Sequence, residues 1–317
     1  KKNLKIEYCE KKILLTGGSG LIGTNLKKSL LKKYIVKSIG SEIDLRNESK
    51  VKNLFSSFKP NILVHLAARV GGIQANMNDK LGFYLDNTLI NTNVIKFAEI
   101  NNIEYIFAMG TGCAYPKKFE KKILNEDMFL DGIPEKTNDA YAYAKRNLLV
   151  HLQYLYQDKN IPYCYCIPSN IFGPHDNFHP LNSHVIPGLI KKIYQSKKNK
   201  KKIHEIWGTG NAKRDFLYID DLVVAIEKII SNKIFGSVNI ASNKLTSIRD
   251  AANIISKSIK YNGKLIFSAD KPEGQLQRKF DISKINKTGW KNKTKFYNGI
   301  KKTIKWFLNN QNKLREK

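Results

Sequence analysis

Acidic residues and cysteines are scarce in this chain of 317 residues. Only 27 Asp and Glu stand against 55 Lys and Arg, which gives a formal net charge of +28. The four cysteines are Cys9, Cys113, Cys164 and Cys166. They follow neither a zinc-ligand spacing nor the dense pattern of a secreted disulfide scaffold, so we expect free thiols. Cys164 and Cys166 lie on one side of a predicted strand, where buried thiols are expected.

Long apolar runs are also missing. No stretch reaches the ~18 to 20 uninterrupted apolar residues that cross a bilayer, and residues 1–7 lack the apolar core of a secretory signal. If the chain truly begins there, we expect a cytoplasmic protein with no membrane partner. Hydrophobic residues make up 42% of the sequence. Together with the length, this content predicts one large domain and one smaller lobe.

The positive charge raises the possibility of nucleic-acid binding. The lysines, however, are spread over every predicted helix and are not gathered in one cluster with stacking aromatic residues. The one dense run, residues 197–202, is typical of a solvated loop. We therefore expect no nucleic-acid partner, and the positive potential can instead attract an anionic nucleotide substrate and cofactor.

Short apolar runs of strand type alternate with helical patterns through the first half of the chain. The predicted strands cover residues 12–16, 34–39, 61–66, 104–109 and 162–167, and the predicted helices cover 21–32, 48–57, 83–100 and 141–157. This alternation predicts an α/β fold with a Rossmann-type doubly wound parallel sheet, whose ligands bind at the carboxyl ends of the strands.

The second half of the sequence is less regular and predicts a smaller, interleaved C-terminal substrate lobe. We predict a dinucleotide-binding domain over residues 1–174 and a substrate-binding lobe over residues 175–215 and 245–317. Residues 216–244 are expected to return to the first domain, through elements around 216–232 and 237–241.

A glycine-rich motif follows the first predicted strand. Gly17, Gly20 and Gly23 are spaced as Gly-x-x-Gly-x-x-Gly, and a helical pattern begins at Leu21. Glycines at this spacing allow a tight turn and a close approach of backbone N–H groups to a pyrophosphate at the helix N-terminus. Because the motif lies between a strand and a helix, it predicts a dinucleotide site.

A second motif places Tyr141 and Lys145 four residues apart at the start of an apolar helix. Side chains at this spacing share one helix face, and a phenol beside a fixed cation can act as an acid toward a carbonyl that is being reduced. Taken alone, the motif fits an ordinary amphipathic helix equally well.

Three histidines, His175, His179 and His184, lie within ten residues. Pro180 stands between them, and no carboxylate repeats at ligand spacing, so we expect no metal site. His175 and His179 are expected to shape the loop.

These motifs, with Ala67 and Ala68 after a predicted strand, resemble the extended short-chain dehydrogenase/reductase family. Within that family the sequence is similar to the GDP-L-fucose synthases over about residues 12–306. The stretches that carry this closer resemblance are residues 65–76, 112–116, 168–178, 183–187 and 206–210. General dehydrogenases of this class lack the cysteine and the histidine that the second and fourth stretches contain.

The resemblance implies 3,5-epimerisation and 4-reduction of a GDP-4-keto-6-deoxy sugar, first of all the conversion of GDP-4-keto-6-deoxy-D-mannose to GDP-L-fucose. A 4-ketone makes the protons at C3 and C5 weakly acidic, so a base and an acid on opposite faces of the ring can invert both centres. By resemblance Cys113 is the base and His184 the acid. Tyr141 protonates the C4 oxygen, and Lys145 holds the ribose and lowers the tyrosine pKa. Thr111 binds the same oxygen in place of the usual serine.

The resemblance also implies the cofactor contacts, which are Gly17, Gly20, Leu21, Ile22, Gly23, Asp44, Leu45, Ala67, Ala68, Tyr141 and Lys145. An NAD site carries an acid at the end of the second strand, but residues 37–41 contain none and Glu42 comes just beyond. Basic residues that some relatives place nearby are absent too, with Ser19 and Ser38 in their stead. The missing acid favours NADP, used as NADPH.

The substrate contacts implied by resemblance are Asn170, His184, Lys192, Trp207, Arg214 and Arg278. The planar guanidinium of Arg214 suits a diphosphate or sugar contact, whereas Trp207 either stacks on guanine or packs the lobe. The placement of Arg278 differs from that in some family members.

Several alternatives stay open. The sugar could be a dideoxyhexose on a colitose route or a 6-deoxyheptose, since one hydroxyl or one carbon is read by pocket shape. The enzyme could also epimerise a nucleotide sugar without net reduction, or the chain could be a silent scaffold that only binds the dinucleotide. Helices 83–100 and 141–157 carry more apolar surface than one sheet face needs, which predicts a homodimer.

Overall fold

The computed structural model describes residues 10–119, 122–179, 182–270 and 277–314, so Cys9, Pro180 and residues 271–276 lie outside the described part. The strands in chain order are β1 (Lys12–Thr16), β2 (Ile35–Ile39), β3 (Ile62–His65), β4 (Tyr105–Met109), β5 (Ile123–Leu124), β6 (Tyr163–Pro168), β7 (Asn170–Phe172), β8 (Ile203–Trp207), β9 (Lys213–Tyr218), β10 (Gly236–Ile240), β11 (Leu245–Ser247), β12 (Lys264–Ser268) and β13 (Lys279–Phe280). The α-helices are α1 (Leu21–Leu30), α2 (Glu48–Phe58), α3 (Ile73–Asn78), α4 (Lys80–Ile100), α5 (Asp139–Lys159), α6 (Val185–Lys198), α7 (Ile219–Ser231), α8 (Ile248–Ile259), α9 (Ser283–Asn286) and α10 (Phe296–Asn309). Short 3₁₀ helices cover residues 112–114, 117–119, 126–130 and 311–313.

A parallel six-stranded sheet with the order β10-β6-β4-β3-β1-β2 forms the centre of the fold. Its inner strands read as continuous apolar runs because helices cover both faces. Ile13, Leu14 and Leu15 of β1 are fully buried, as are residues 105–108 of β4. Helix α4 packs against α2 and α5, and α1 packs against α7. The predicted Rossmann-type α/β fold is confirmed.

The strand order reverses beside β1. The chain passes from β1 to β2 on one side and then to β3 on the other, with Thr16 in register with His65 at the carboxyl ends. Loops that leave two neighbouring strands in opposite directions open a crevice, which is where doubly wound sheets bind ligands. The fold therefore places a cleft above Thr16 and His65.

The rest of the chain forms smaller sheets around this edge. Strand β9 pairs with β7 and β11, β8 pairs with β12, and β5 pairs with β13. An aromatic cluster of Phe172, Phe216, Tyr218 and Phe296 joins β7, β9 and α10. Edge-to-face and stacked rings of this kind bury a large apolar area.

The structure differs from the sequence prediction in several elements. Residues 216–218, expected to return to the large sheet, belong to β9 of the small sheet, because Phe216 and Tyr218 pack into the aromatic cluster. Helix α7 does pack against α1, and β10 forms the edge of the large sheet beside β6. Helix α3 was not foreseen, and α4 begins at Lys80 because the Asp79 carboxylate caps it by accepting from the Gly82 N–H.

Among the described residues, no helix is long and apolar enough to cross a membrane.

Candidate active site

One cleft of about 1010 Å³ runs from the glycine-rich turn to the small lobe. Every candidate residue named from the sequence lines it. These are Gly17, Gly20, Leu21, Ile22, Gly23, Asp44, Leu45, Ala67, Ala68, Thr111, Cys113, Tyr141, Lys145, Asn170, His184, Lys192, Trp207, Arg214 and Arg278. The fold thus gathers residues that are up to 261 positions apart in sequence, from Gly17 to Arg278.

The glycine-rich turn is packed too closely for side chains. Gly17 has φ +72°, and a Cβ there would lie 2.7 Å from the Ala67 nitrogen. A Cβ on Gly23 would lie 2.3 Å from the Gly17 carbonyl oxygen. Gly20 caps α1 without a side-chain hydrogen bond, so the first N–H groups of the helix face the cleft with their partial positive charge. This backbone is suited to a pyrophosphate.

Charged side chains surround the far end of the same cleft, beyond β2. The Gly40 N–H donates to the Glu42 carboxylate at 2.6 Å. Both oxygens of Asp44 accept from Arg46, at 2.9 and 3.0 Å, and this pairing lowers the Asp44 pKa. Arg46 also donates to Asp86 at 2.9 Å. Sequence reasoning missed Arg46, although its position two residues after Asp44 was a signal for such a pair.

Lys145 is buried below the cleft, and its ammonium donates to the Met109 carbonyl at 2.8 Å. The lysine nitrogen lies 5.9 Å from the centre of the Tyr141 ring. Burial lowers the pKa of Lys145 to about 8. The pKa of Tyr141 is raised, first by desolvation and then by the nearby Cys113.

The expectation that Lys145 lowers the tyrosine pKa is therefore wrong in this structure. The largest cause of the raised pKa is burial, which removes the phenolate from water. Tyr141 is therefore a neutral phenol with a proton to donate, and its raised pKa makes it a weaker acid than a free phenol.

Thr111 and Cys113 lie together in the turn after β4. The two side chains form a hydrogen bond with 3.0 Å between Oγ1 and Sγ, and the Cys113 N–H donates to the same oxygen at 3.4 Å. The neighbouring Arg146, which sequence reasoning also missed, donates to the Ala114 carbonyl at 2.9 Å and ties this turn to α5. A thiol, a hydroxyl and the Tyr141–Lys145 helix are thereby held at one point of the cleft.

His184 occupies the N-cap position of α6 and lines the cleft from the small lobe. The Gly72 N–H donates to the Asn182 carbonyl at 3.3 Å, which fastens the loop before His184 to the loop after β3. The other two histidines have local contacts. His175 packs against Trp306 at 4.7 Å, and His179 Nδ1 accepts from the Asn182 N–H at 3.1 Å.

The remaining candidates line the small-lobe end of the cleft. Trp207 is 57% exposed and lines the cleft, which argues against the packing alternative and favours stacking. Lys192 is exposed on α6, and Arg214 donates to the Lys213 carbonyl at 3.0 Å. Positive side chains around an accessible indole are suited to a nucleoside diphosphate.

A glycine-rich turn at the switch point of a doubly wound sheet, facing a Tyr–Lys pair and a nearby hydroxyl, defines a dinucleotide-dependent enzyme of the short-chain dehydrogenase/reductase class. Residues 13–241 match the NAD dependent epimerase/dehydratase family. The chain is 36% identical over 307 residues to a GDP-L-colitose synthase from Yersinia pseudotuberculosis, covering 95% of this chain and 99% of that protein. It is 33% identical over 308 residues to a GDP-L-fucose synthase from Dictyostelium discoideum, covering 94% and 95% of the two.

Among solved structures, a GDP-L-fucose synthetase from Naegleria fowleri bound to NADP has a TM-score of 0.87 to this chain at 31% identity, covering 96% of this chain and 95% of that one. The chain therefore belongs to the NAD dependent epimerase/dehydratase family, among the relatives of GDP-L-fucose synthase, which confirms the resemblance seen in the sequence.

Proposed function

We propose that the protein catalyses the NADPH-dependent 3,5-epimerisation and 4-reduction of a GDP-4-keto-6-deoxy sugar, with GDP-4-keto-6-deoxy-D-mannose as substrate and GDP-L-fucose as product. One observation carries the proposal: the Cys113 thiol, the His184 imidazole and the Tyr141 phenol line a single cleft with the glycine-rich turn. The names of the relatives, synthases of GDP-L-fucose and GDP-L-colitose, support a GDP-linked deoxysugar.

The cleft fits a dinucleotide at its glycine-rich end. The missing side chains at Gly17 and Gly23 leave room for the close packing of turn and helix, and the start of α1 can receive a pyrophosphate. Arg46 lines this end of the cleft with its guanidinium paired to Asp44 and Asp86. The absence of an acidic residue among residues 37–41, at the end of β2, favours NADP. The NADP-bound relative from Naegleria fowleri supports the same choice. When bound, NADPH supplies the hydride for C4.

The epimerisation needs a proton acceptor and a proton donor. We assign Cys113 as the base that takes a proton from C3 and from C5, since its sulfur is held by Thr111. We assign His184, at the N-cap position of α6, as the acid that returns a proton to the other face of the ring. A histidine suits this role near neutral pH.

The reduction needs one further proton, for the C4 oxygen. We assign Tyr141 as its donor because its protonated phenol lines the cleft beside Lys145. Lys145 lies within reach of the ring and contributes positive charge where negative charge develops. Asn170, Lys192, Trp207, Arg214 and Arg278 are proposed to bind the GDP portion and the sugar.

This assignment predicts a pH dependence of the reduction. Burial lowers the pKa of Lys145 to about 8, so its charge is present below that pH and is lost above it. The titratable groups around it are Tyr141, Cys113 and the neutral His65. We expect the single-turnover rate of NADPH oxidation to fall about tenfold per pH unit well above pH 8.

The rate is to be followed by NADPH absorbance between about pH 6 and pH 10. The matched control is Lys145→Arg, whose guanidinium does not titrate in this range and should remove the alkaline fall. A wild-type rate that stays level up to about pH 10 would contradict the role of the lysine charge.

The function is tested by mixing the pure protein with GDP-4-keto-6-deoxy-D-mannose and NADPH in deuterated water. We expect one NADPH consumed per sugar and deuterium at both C3 and C5 of the product. Label at both carbons without NADPH consumption would indicate an epimerase without net reduction. If no label enters and no NADPH is consumed, the proposal is contradicted. NADH turnover equal to or faster than NADPH turnover would overturn the cofactor assignment.

A second candidate substrate is the 3,6-dideoxy analogue, GDP-4-keto-3,6-dideoxymannose, which the identity of 36% to the GDP-L-colitose synthase favours. The two sugars differ by the C3 hydroxyl, and a site that hydrogen-bonds a hydroxyl rejects the analogue that lacks it. A comparison of kcat/KM for the two sugars decides between them. A 6-deoxyheptose is the third sugar for this comparison.

We also propose a homodimer built on α4 and α5. Leu81, Leu85 and Leu89 repeat every four residues on α4 and are 69%, 46% and 46% exposed. Such a stripe is typical of a helical interface. We expect Leu85→Arg to sediment as a monomer at micromolar concentration, whereas Leu31→Arg, which is also 46% exposed but lies at the end of α1, stays dimeric. A monomeric wild type would contradict the proposal.

The cytoplasmic location and the domain boundaries stay predictions. A reducing compartment suits a mechanism that needs a free thiol at Cys113. The predicted division is residues 1–174 with 216–244, and residues 175–215 with 245–317. In the structure, residues 216–218 of the first group belong to β9 of the small sheet.

A further inference from the structure

A buried chain of hydrogen bonds crosses the protein beneath the cleft. The Ala67 N–H donates to Thr16 Oγ1 at 3.2 Å, and that oxygen lies 2.8 Å from His65 Nδ1. His65 Nε2 lies 3.1 Å from Asn91 Oδ1, and Asn91 Nδ2 donates to the Ala144 carbonyl at 3.3 Å. Thr16, His65 and Asn91 are all buried.

With a neutral imidazole, only one arrangement of protons satisfies this chain of hydrogen bonds. The Ala144 carbonyl accepts only, so Asn91 must turn its amide nitrogen toward it and its oxygen toward His65. The imidazole therefore carries its proton on Nε2, and Nδ1 accepts from the Thr16 hydroxyl, which in turn accepts from Ala67. Every donor points from the glycine-rich edge toward α5.

Both ends of this chain of hydrogen bonds lie beside residues of the proposed active site. At one end Ala67 lies against the glycine-rich turn, as shown by the 2.7 Å that would separate its nitrogen from a Cβ on Gly17. At the other end, Ala144 directly precedes Lys145. Burial and the charge of Lys145 lower the pKa of His65 to about 3. The imidazole is thus neutral near neutral pH and adds no second cation beside the lysine.

We propose that His65 and Asn91 are positioning residues for the reduction, which fix the turn carrying Tyr141 and Lys145 relative to the backbone that holds the dinucleotide. This inference rests on the proposed function. Hydride transfer depends steeply on the distance and angle between donor and acceptor. Cys113 lies in the turn after β4, which Arg146 ties to α5, and His184 caps α6. Neither side chain belongs to the hydrogen-bond chain, so His65 and Asn91 should act on the reduction more than on the epimerisation.

The test is the variant Asn91→Leu, which keeps the branching at Cγ and the number of side-chain heavy atoms but removes both hydrogen bonds. In single turnovers with NADPH and GDP-4-keto-6-deoxy-D-mannose, we expect hydride transfer to slow about 10- to 100-fold. Deuterium exchange at C3 and C5 and the NADPH dissociation constant should change less than about threefold. A merely destabilising substitution would lower both half-reactions together.

Asn93→Leu is the matched control. Asn93 is also a buried asparagine of α4, but it donates to the Leu45 and Arg46 carbonyls. Because Leu45 and Arg46 lie at the cofactor end of the cleft, the loss of Asn93 is expected to weaken NADPH binding and not to slow hydride transfer selectively at saturating NADPH. If Asn91→Leu slows both half-reactions equally, slows neither, or behaves as Asn93→Leu does, the positioning role is overturned.

A second measurement needs no substrate. The chain has six histidines, so ¹⁵N-labelled histidine spectra are simple to assign, with His65→Phe identifying the signals of His65. We expect the Nε2–H tautomer and no titration between about pH 5 and pH 8. An Nδ1–H tautomer or a titration in that range would overturn the chain of hydrogen bonds. A wild type with this spectrum but no turnover would count against the proposed substrate instead.

Discussion

Replacing Cys113 with serine is expected to suppress the incorporation of solvent deuterium at C3 and C5 by roughly 10²- to 10⁴-fold, the usual contribution of a general base. The serine hydroxyl fits the same space and can keep the hydrogen bond to Thr111, which is 3.0 Å long in the wild type. It is a far weaker proton acceptor than a thiolate near neutral pH. Label at C3 and C5, read by mass spectrometry of the sugar, measures the effect.

The control for this variant is a second cysteine. Cys164 is buried in β6 with a pKa raised by desolvation, and it does not line the cleft. Cys164→Ala should lose stability, because a buried side chain is shortened, but the folded protein should label both carbons at the wild-type rate. NADPH binding should survive in both variants. Labelling of Cys113→Ser at the wild-type rate would remove the thiol from the mechanism.

The parts of the fold that the sequence predicted are those encoded locally. Strand β1, the turn from Gly17 to Gly23 and helix α1 are adjacent in the chain, so apolar period and glycine spacing are enough to place them. The Tyr141–Lys145 pair is local too. Residues such as Cys113 and His184 carried no local signal and were found only through the resemblance of the stretches around them.

The parts that could not be predicted depend on contacts between distant segments. The link between His65 and Asn91 requires both the β1–β3 register and the packing of α4 against α5. The pKa of Tyr141 is set by burial, which neighbours in sequence do not determine. Strand β9 belongs to the small sheet and not to the large one, because its aromatic side chains pack against those of β7 and α10. Tertiary packing overrides local pattern in such cases.

Replacing Tyr141 with phenylalanine is expected to slow NADPH oxidation by roughly 10²- to 10⁴-fold. The change removes only the hydroxyl, so the ring can keep its place 5.9 Å from the lysine nitrogen. The C4 oxygen then lacks its proton donor as the hydride arrives. Because Cys113 and His184 are untouched, deuterium should still enter at C3 and C5, and the labelled 4-keto sugar should accumulate.

Tyr143→Phe is the control for this experiment, since Tyr143 lies on the same helix two residues away but is 42% exposed and does not line the cleft. It should oxidise NADPH at the wild-type rate. If Tyr141→Phe loses both the labelling and the reduction, the phenol serves both half-reactions. If Tyr141→Phe reduces the sugar at the wild-type rate, the phenol is excluded as the proton donor. The opposite behaviour of Cys113→Ser and Tyr141→Phe is expected because the two side chains have different roles, the thiol as the base at C3 and C5 and the phenol as the proton donor at the C4 oxygen.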